Sequence, residues 1–263
     1  MHVPFRQNAK LIRSVVSATF LVSLAACGSG SSSGSSSSTS SGSGAPATNV
    51  SVAMTSALNA FVTDGTTISN MTIAGTYGSA SATGTASYTL LPAASTTFAG
   101  NSTDSAQAAT LVTSSLNVSG TGAVSVPTTY STFVWDVSTN LVGMTLNDSS
   151  SNVLEYDVAT SVVAFPSTIT IGGSGSLATF NRYTDSTMST SLGTIDTAYS
   201  VVANGSSTTS VVFELTEQIY DTGSSNPNSV TYDFVVNAGG TMSLKSIEIN
   251  DLGTFDLTYT NPD

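Results

Sequence analysis

The chain has 263 residues, 40% of them apolar, which is enough for one large or two small domains with a buried core. It carries 16 acidic and five basic residues, and three of the basic residues lie within the first thirteen positions. The rest of the chain is therefore strongly acidic. This excludes nucleic-acid binding, which depends on Lys and Arg side chains that neutralise phosphates.

The first 26 residues have the pattern of a bacterial export signal. Basic residues up to Arg13 precede an apolar run over 14–26 that is too short to span a bilayer. The run ends in Leu24-Ala25-Ala26-Cys27, which resembles the lipobox of bacterial lipoproteins. The resemblance implies cleavage before Cys27, a diacylglycerol on its sulfur and an acylated new amino group, and two or more chains anchor a protein stably. An ordinary secretory signal with an incidental cysteine is the alternative.

Residues 27–48 follow the expected cleavage site. From Gly28 to Thr48 they are almost entirely Gly and Ser, a composition without apolar surface to offset the entropy of ordering. We expect a flexible tether with an r.m.s. length on the order of 25 Å. Since Gly28 rather than an aspartate follows the cysteine, the sorting tendency of the lipoprotein family implies the outer membrane.

We predict that residues 49–263 form the exported domain. Its first segment, 50–62, has two interpretations. Val50, Val52 and Met54 alternate as in a strand, but apolar residues also recur at helical spacing, and we predict a short helix. The helical pattern consists of three apolar residues, a candidate N-cap and a glycine stop: Met54, Leu58, Phe61, Asn49 and Gly65.

The sequence after Thr66 predicts β-strands. Apolar and polar residues alternate with a period of two in four segments, which indicates half-buried antiparallel strands. The expected inward faces are Phe133/Trp135/Val137, Leu154/Tyr156/Val158, Tyr232/Phe234/Val236 and Phe255/Leu257/Tyr259. Short polar connections join the strands and predict meanders. These connections are Ser138–Asn140, Asp148–Asn152, Asn237–Gly240 and Asn250-Asp251.

We therefore predict an all-β fold in which antiparallel meanders form a sandwich or a barrel, preceded by a short helix. The strand and turn around Phe133 and Trp135 are echoed roughly one hundred residues later around Tyr232 and Phe234. This echo indicates two duplicated halves, 67–162 and 167–263.

The catalytic chemistry of the mature chain is restricted by its composition. The only histidine, His2, lies in the expected signal segment, and the only cysteine is the expected lipidation site. Ser-His-Asp and Cys-His mechanisms and zinc or haem sites are thereby excluded. We expect neither a cofactor nor a metal.

One short motif suggests an enzyme. Residues 219–226 contain Asp221-Thr222-Gly223-Ser224-Ser225, which resembles the active-site segment of pepsin-type aspartic peptidases. The resemblance implies an acid–base role for Asp221, and that mechanism requires a second carboxylate that shares one proton with the first. A second Asp-Thr/Ser-Gly is absent from the sequence. We therefore interpret the motif as a polar hairpin loop.

Four other side chains have two interpretations each. Glu217 lies in phase with the apolar residues of its strand, where it is either a buried acid with a shifted pKa or the mark of a β-bulge or solvated strand end. We favour the bulge or strand end. Arg182 and Lys245 are expected to pair with nearby acids rather than with an anionic ligand. Trp135 is expected to pack in the core rather than to serve as a platform for a sugar.

The C-terminal part of the chain is similar to proteobacterial lipoproteins without an assigned activity. The similarity consists of Ile219-Tyr220-Asp221, a polar loop, an alternating strand, Gly239-Gly240-Thr241 and Leu244–Ile249. It implies no catalytic residue. We expect a non-enzymatic lipoprotein of the cell envelope, structural or ligand-binding, attached to the membrane by its lipid anchor and with an unidentified partner. A small-ligand carrier built on a barrel and an aspartic-type hydrolase are the alternatives.

Overall fold

The computed structural model describes residues 50–252 and 254–262. The expected signal segment 1–26, the lipobox Leu24, Ala25 and Ala26, the lipidation site Cys27 and the tether 27–48 lie outside these residues. The described chain contains sixteen strands and one helix.

The chain starts with strand β1 (Ser51–Ala53) and helix α1 (Met54–Asp64), and all elements that follow are strands. They are β2 (Thr66–Tyr77), β3 (Ala80–Leu90), β4 (Ala94–Phe98), β5 (Asn101–Val118), β6 (Gly122–Ala123), β7 (Thr129–Trp135), β8 (Leu141–Asn147), β9 (Val153–Val162), β10 (Thr168–Thr170), β11 (Ser174–Tyr183), β12 (Ser191–Ala203), β13 (Ser210–Asp221), β14 (Asn228–Asn237), β15 (Met242–Asp251) and β16 (Phe255–Thr260).

Twelve of the strands close into an antiparallel barrel. Their order is β3-β2-β16-β15-β14-β13-β12-β11-β9-β8-β7-β5, and the pairing of β5 with β3 closes the ring. Closure removes the unpaired strand edges that an open sheet would expose. The all-β prediction is therefore confirmed, in its barrel form.

Each of the two predicted halves supplies one arc of the barrel. Six neighbouring strands, β2, β3, β5, β7, β8 and β9, come from the first half, and β11–β16 come from the second. The arcs meet where β9 pairs with β11 and where β16 pairs with β2. This arrangement fits the division at residues 162–167, although an internal duplication stays a prediction.

Helix α1 and a small sheet occupy one end of the barrel, which we call the helix end. Strand β1 pairs with β10, and their central residues Val52 and Ile169 are buried. The strand-like alternation and the helical spacing in this segment are therefore both confirmed, because a three-residue strand precedes the helix. The N-cap is Ala53, without a side-chain hydrogen bond, and the amide of Gly65 donates to the carbonyl of Phe61 at 3.2 Å. The expected cap Asn49 lies outside the described residues.

The apolar face of α1 packs against the inner wall. Met54 and Leu58 are buried, and the ring of Phe61 meets that of Phe234 edge to face with centroids 5.3 Å apart. The amide nitrogen of Gln107 donates to the carbonyls of Phe61 and Val62 at 3.2 Å. Each of these carbonyls also accepts a backbone amide, from Gly65 and Ala93 respectively, so Gln107 adds a second hydrogen bond from the barrel wall to the last turn of the helix.

Most of the predicted inward faces are confirmed. Phe133 and Trp135 of β7 are buried in the main core, and so are the three predicted residues of β14 and the three of β16. Val137 is an exception, because β7 ends at Trp135 and the Val137 side chain is 78% exposed in the following turn.

Strand β9 is oriented opposite to the prediction. Glu155 and Asp157 are buried, and their register neighbours on β11 include the buried Arg182, so the acidic face points into the barrel. Tyr156 lies on the outside, where its ring stacks on that of Phe98 at 4.7 Å. The prediction failed for two reasons. A cation on another strand stabilises the acidic residues inside the barrel, and the β4 segment covers the tyrosine on the outside.

Two of the predicted hairpin loops share one hydrogen-bond scheme. In Asp136–Asn140 and Asp148–Asn152 the first carboxylate accepts the amides two and four residues later and the amide group of the final Asn. The residue before that Asn has φ near +60° in both loops, at Thr139 (62°) and Ser151 (64°). The loop prediction at Asn250-Asp251 was wrong, because β15 continues to Asp251 and the turn follows it.

We expect Trp135→Ala to lower the free energy of unfolding by about 3–5 kcal/mol, because it empties a buried aromatic site. It also removes the indole donor that holds the Gln107 side chain at 3.2 Å. Val137→Ala, a truncation two residues away at an exposed position, should change the free energy by less than about 0.5 kcal/mol. Urea unfolding followed by circular dichroism measures both, and equal midpoints for wild type and Trp135→Ala would contradict the packing.

Candidate functional site

The barrel interior next to α1 is filled by side chains. A cavity of about 20 Å³ lies between the helix and the wall, bordered by Leu58, Phe61 and Trp135 among others. A second cavity, bordered by Tyr88 and Ile247 among others, measures about 10 Å³. A water molecule needs about 10–15 Å³ measured in this way, so neither cavity has room for a larger ligand.

The opposite end of the barrel, which we call the far end, contains a buried ion cluster. Arg182 of β11 is 1% exposed. Two nitrogens of its guanidinium donate to the carboxylate of Glu155, Nε at 2.7 Å and Nη2 at 3.1 Å. Asp157 lies beside this pair, directly opposite Arg182 in the strand register. A bidentate contact of this kind fixes the planar guanidinium in one orientation.

The remaining nitrogen of the Arg182 guanidinium lies at the rim of the barrel. Its Nη1 donates to a carboxylate oxygen of Asp221 at 3.0 Å and to the carbonyl of Tyr220 at 3.3 Å. The side chain of Asp221 is 60% exposed, so the cluster connects the interior to the surface at this point. The expected pairing of Arg182 with acids is confirmed.

The aspartic-type site is not formed by the described residues. The side chain of Asp221 binds Arg182, and among the hydrogen bonds of the described chain it makes none to a second carboxylate. Asp221 is the last residue of β13, and the amide of Ser224 donates to its carbonyl at 2.8 Å, which closes a turn. The Asp-Thr-Gly-Ser segment is thus a hairpin loop at the rim.

The charges of the cluster determine its protonation. Burial raises the pKa of Asp157 well above its usual range, and the nearby Glu155 raises it further, while Arg182 acts in the opposite direction. Burial alone would lower the pKa of the Arg182 guanidinium, but the carboxylates of Glu155, Asp157 and Asp221 raise it above its ordinary value. One buried cation thus compensates one buried anion, and we expect Asp157 to keep its proton.

Two further predictions concern charged residues elsewhere. Glu217 is fully buried, and β13 keeps a continuous register with both neighbours at that position. The bulge or strand-end interpretation was therefore wrong, since Glu217 points into the barrel between Leu215 and Ile219. Lys245 is exposed, and both ion pairs of the described chain belong to Arg182, so the ion pair expected for Lys245 is not found there.

A concavity of about 400 Å³ lies on the outer wall of the far end, and we call it the rim trough. Its lining comes from β11, β12, β13 and the loop after β13: Asn181, Tyr183, Ser191, Gly193, Thr194, Tyr220, Asp221, Thr222, Gly223 and Ser224. Tyr183 lies opposite Ser191, and Tyr220 lies opposite Thr194. Two tyrosines therefore flank a floor of small β12 residues.

Both phenol groups are held by neighbouring side chains. The amide of Asn181 donates to the Tyr183 hydroxyl at 3.3 Å, and the Tyr220 hydroxyl donates to the amide oxygen of Gln218 at 2.8 Å. On the floor, Gly193 has φ +133°, and a Cβ there would overlap the carbonyl oxygen of Tyr220. This close approach of the two backbones and the positive φ require glycine at this position.

The rim trough was not predicted from the sequence. Arg182 and Asp221 were singled out, but each for its own chemistry, and the adjacent Tyr183 and Tyr220 gave no separate pattern. The trough depends on the register of three neighbouring strands, which brings together residues nearly forty positions apart. The short sequence around Gly193 was the available indication, since a glycine inside a strand marks a bulge or a close backbone approach.

The described residues contain no group of three or more His, Cys, Asp or Glu side chains that could hold a metal ion. Within the same residues no helix has the length and apolar character needed to cross a membrane. Comparisons with known protein families, with curated proteins and with solved structures find no match to this chain.

We expect Arg182→Met to lower the free energy of unfolding by about 3–5 kcal/mol, because it leaves the buried carboxylate of Glu155 without its cation. The matched control is Lys245→Met, which removes the other cation of the described chain from an exposed position. It should change the free energy by less than about 0.5 kcal/mol. Urea unfolding at neutral pH tests both variants, and similar losses for the two would show that the Arg182 pair is not buried.

We expect Asp157→Asn to be more stable than wild type towards neutral pH. The pKa of Asp157 is raised in the folded protein, so the folded state holds a proton that the unfolded state releases near pH 4. Wild-type stability should fall as the pH rises from about 4 towards the folded-state pKa, whereas the variant lacks this loss. Urea unfolding at several pH values gives the difference, and Asp64→Asn on the exposed end of α1 serves as control. A pH-independent difference would contradict the buried protonated acid.

Proposed function

We propose that the protein is a lipid-anchored, non-enzymatic binding protein of the bacterial cell envelope that acts through the outside of its barrel. The observation that carries this proposal is the filling of the interior next to α1, where the two cavities have room only for water. A protein that transported a small ligand inside the barrel would need a far larger space, since ligand cavities measure about 300–1,000 Å³.

The position of the first described residues supports an arrangement relative to the membrane. The carbonyl of Val50 accepts a hydrogen bond from Ile171 at 3.3 Å, which fixes the start of the domain at the helix end. The Gly/Ser segment before it would therefore reach the barrel at that end. The strands between the ends, such as the 12-residue β13, span about 35–40 Å. The rim trough thus lies at the end of the domain remote from the proposed point of attachment.

The aspartic-type hydrolase is disfavoured by the surroundings of Asp221. Its carboxylate binds the guanidinium of Arg182, whereas the peptidase mechanism requires two carboxylates that share one proton. The carrier is disfavoured by the small size of the two cavities next to α1. The envelope binding protein is the proposal that needs neither an acid dyad nor an empty barrel.

We expect Cys27→Ala to block lipidation and cleavage together and to leave an uncleaved precursor. A chain that begins at Asn49 behind an ordinary secretory signal should instead appear in the soluble periplasmic fraction, because the lipid is the proposed anchor. It should keep its β-type circular dichroism, since the core lies within the described residues. Metabolic labelling with a palmitate analogue and cell fractionation measure these outcomes.

The wild-type chain is the control and should carry the label and fractionate with membranes until detergent is added. An unlabelled wild-type chain would contradict the anchor. Recovery of the Asn49 chain with the membranes would contradict an attachment that depends on lipid alone.

A further inference from the structure

We infer that the rim trough is a binding site for an uncharged saccharide. This inference rests on the proposed function, because it names the class of ligand that the outside of the anchored barrel would bind. Three properties of the trough support it, namely its shape, the chemistry of its lining and its charge.

The shape of the trough suits one or two sugar rings. Its volume of about 400 Å³ is within the range of small-molecule sites. The residues of its floor and its end loop are small, and Ser191, Thr222 and Ser224 are exposed, so the trough is shallow and open along β12. A ligand in such a site lies flat on the surface, as a ring within a longer glycan chain would.

The lining supplies both kinds of contact that a sugar ring needs. The ring presents C–H groups on its faces and hydroxyl groups around its edge. Tyr183 and Tyr220 are half-buried, and a tyrosine combines an apolar ring with a polar tip. The amide of Asn181 and the hydroxyls of Thr194 and Ser191 are polar groups that can bind hydroxyls from the edges of the trough.

The polar groups of the trough suit an uncharged ligand better than an anionic one. The guanidinium of Arg182 is 1% exposed and already binds Glu155 and Asp221, so an anionic ligand finds no available cation there. The carboxylate of Asp221 is the acidic group of the lining, and the guanidinium that it contacts is shared with Glu155. A ligand with hydroxyl groups fits this surface, because the exposed part of the Asp221 side chain can accept hydrogen bonds from hydroxyls.

Saturation-transfer NMR tests the inference on the full-length lipidated protein, in a detergent without a sugar headgroup. The probes are cellobiose, maltose and N,N′-diacetylchitobiose, with choline as a cation and glucose 6-phosphate as an anion. We expect at least one of the three disaccharides to bind and neither charged probe to do so. Tyr183→Ala and Tyr220→Ala should each weaken disaccharide binding at least tenfold.

Tyr130→Ala is the matched control, because Tyr130 is also a half-buried tyrosine on a barrel strand but lies on β7, away from the trough. It should leave the affinity unchanged. Thr194→Trp, which fills the floor, should abolish binding while the circular dichroism stays that of wild type.

Three results would overturn the inference: no binding of any disaccharide, disaccharide binding unaffected by both trough tyrosine variants, or binding of choline or glucose 6-phosphate in preference to the disaccharides. None of them alters the fractionation of the chain. Failure of this inference is therefore distinguishable from failure of the proposed anchor.

Discussion

The closed barrel imposes the constraint on which the rest of the structure depends. Each of its twelve strands points alternate side chains into one shared interior, and that interior has to be filled without an uncompensated charge. The two ends meet this requirement differently. Helix α1 fills one end with Met54 and Leu58, while Arg182 and its carboxylates occupy the other.

The ion cluster explains several features that are otherwise unrelated. It explains why β9 points its acidic face inwards and why Tyr156 needs a cover from Phe98 on the outside. It also connects the interior to the rim, because one guanidinium binds the buried Glu155 and the exposed Asp221. By holding Asp221 and the Tyr220 carbonyl, Arg182 positions the edge of the rim trough. A residue of the interior thus organises the proposed binding surface.

The sequence predicted those parts of the fold that depend on local patterns. The alternation in β14 and β16 placed Tyr232, Phe234 and Tyr259 correctly, because each of these strands has one apolar and one polar face. Alternation failed in β9 because the compensating arginine lies on a different strand, 27 residues from Glu155. Glu217 was misassigned for a similar reason, since a charge on an apolar face more often marks a strand end than a buried site.

The site was harder to predict than the fold. The rim trough combines Tyr183, Gly193 and Tyr220, and only the register of three paired strands brings them together. The peptidase-like motif forms a hairpin loop, as interpreted from the sequence, and this loop lies beside the trough. The filling of the interior next to α1 could not be foreseen either, because alternation in a strand does not reveal whether the enclosed space is occupied by a helix.

The protonation of Asp157 tests most directly whether the barrel interior is closed and its charges balanced. Carbon-13 NMR of selectively labelled aspartate, assigned with Asp157→Asn, follows that carboxyl group across a pH titration. If the cluster is buried as described, its signal titrates well above pH 4, because burial raises the pKa of Asp157. If the signal titrates near pH 4, as for an aspartate in water, then water reaches the cluster and the account of a closed interior is wrong.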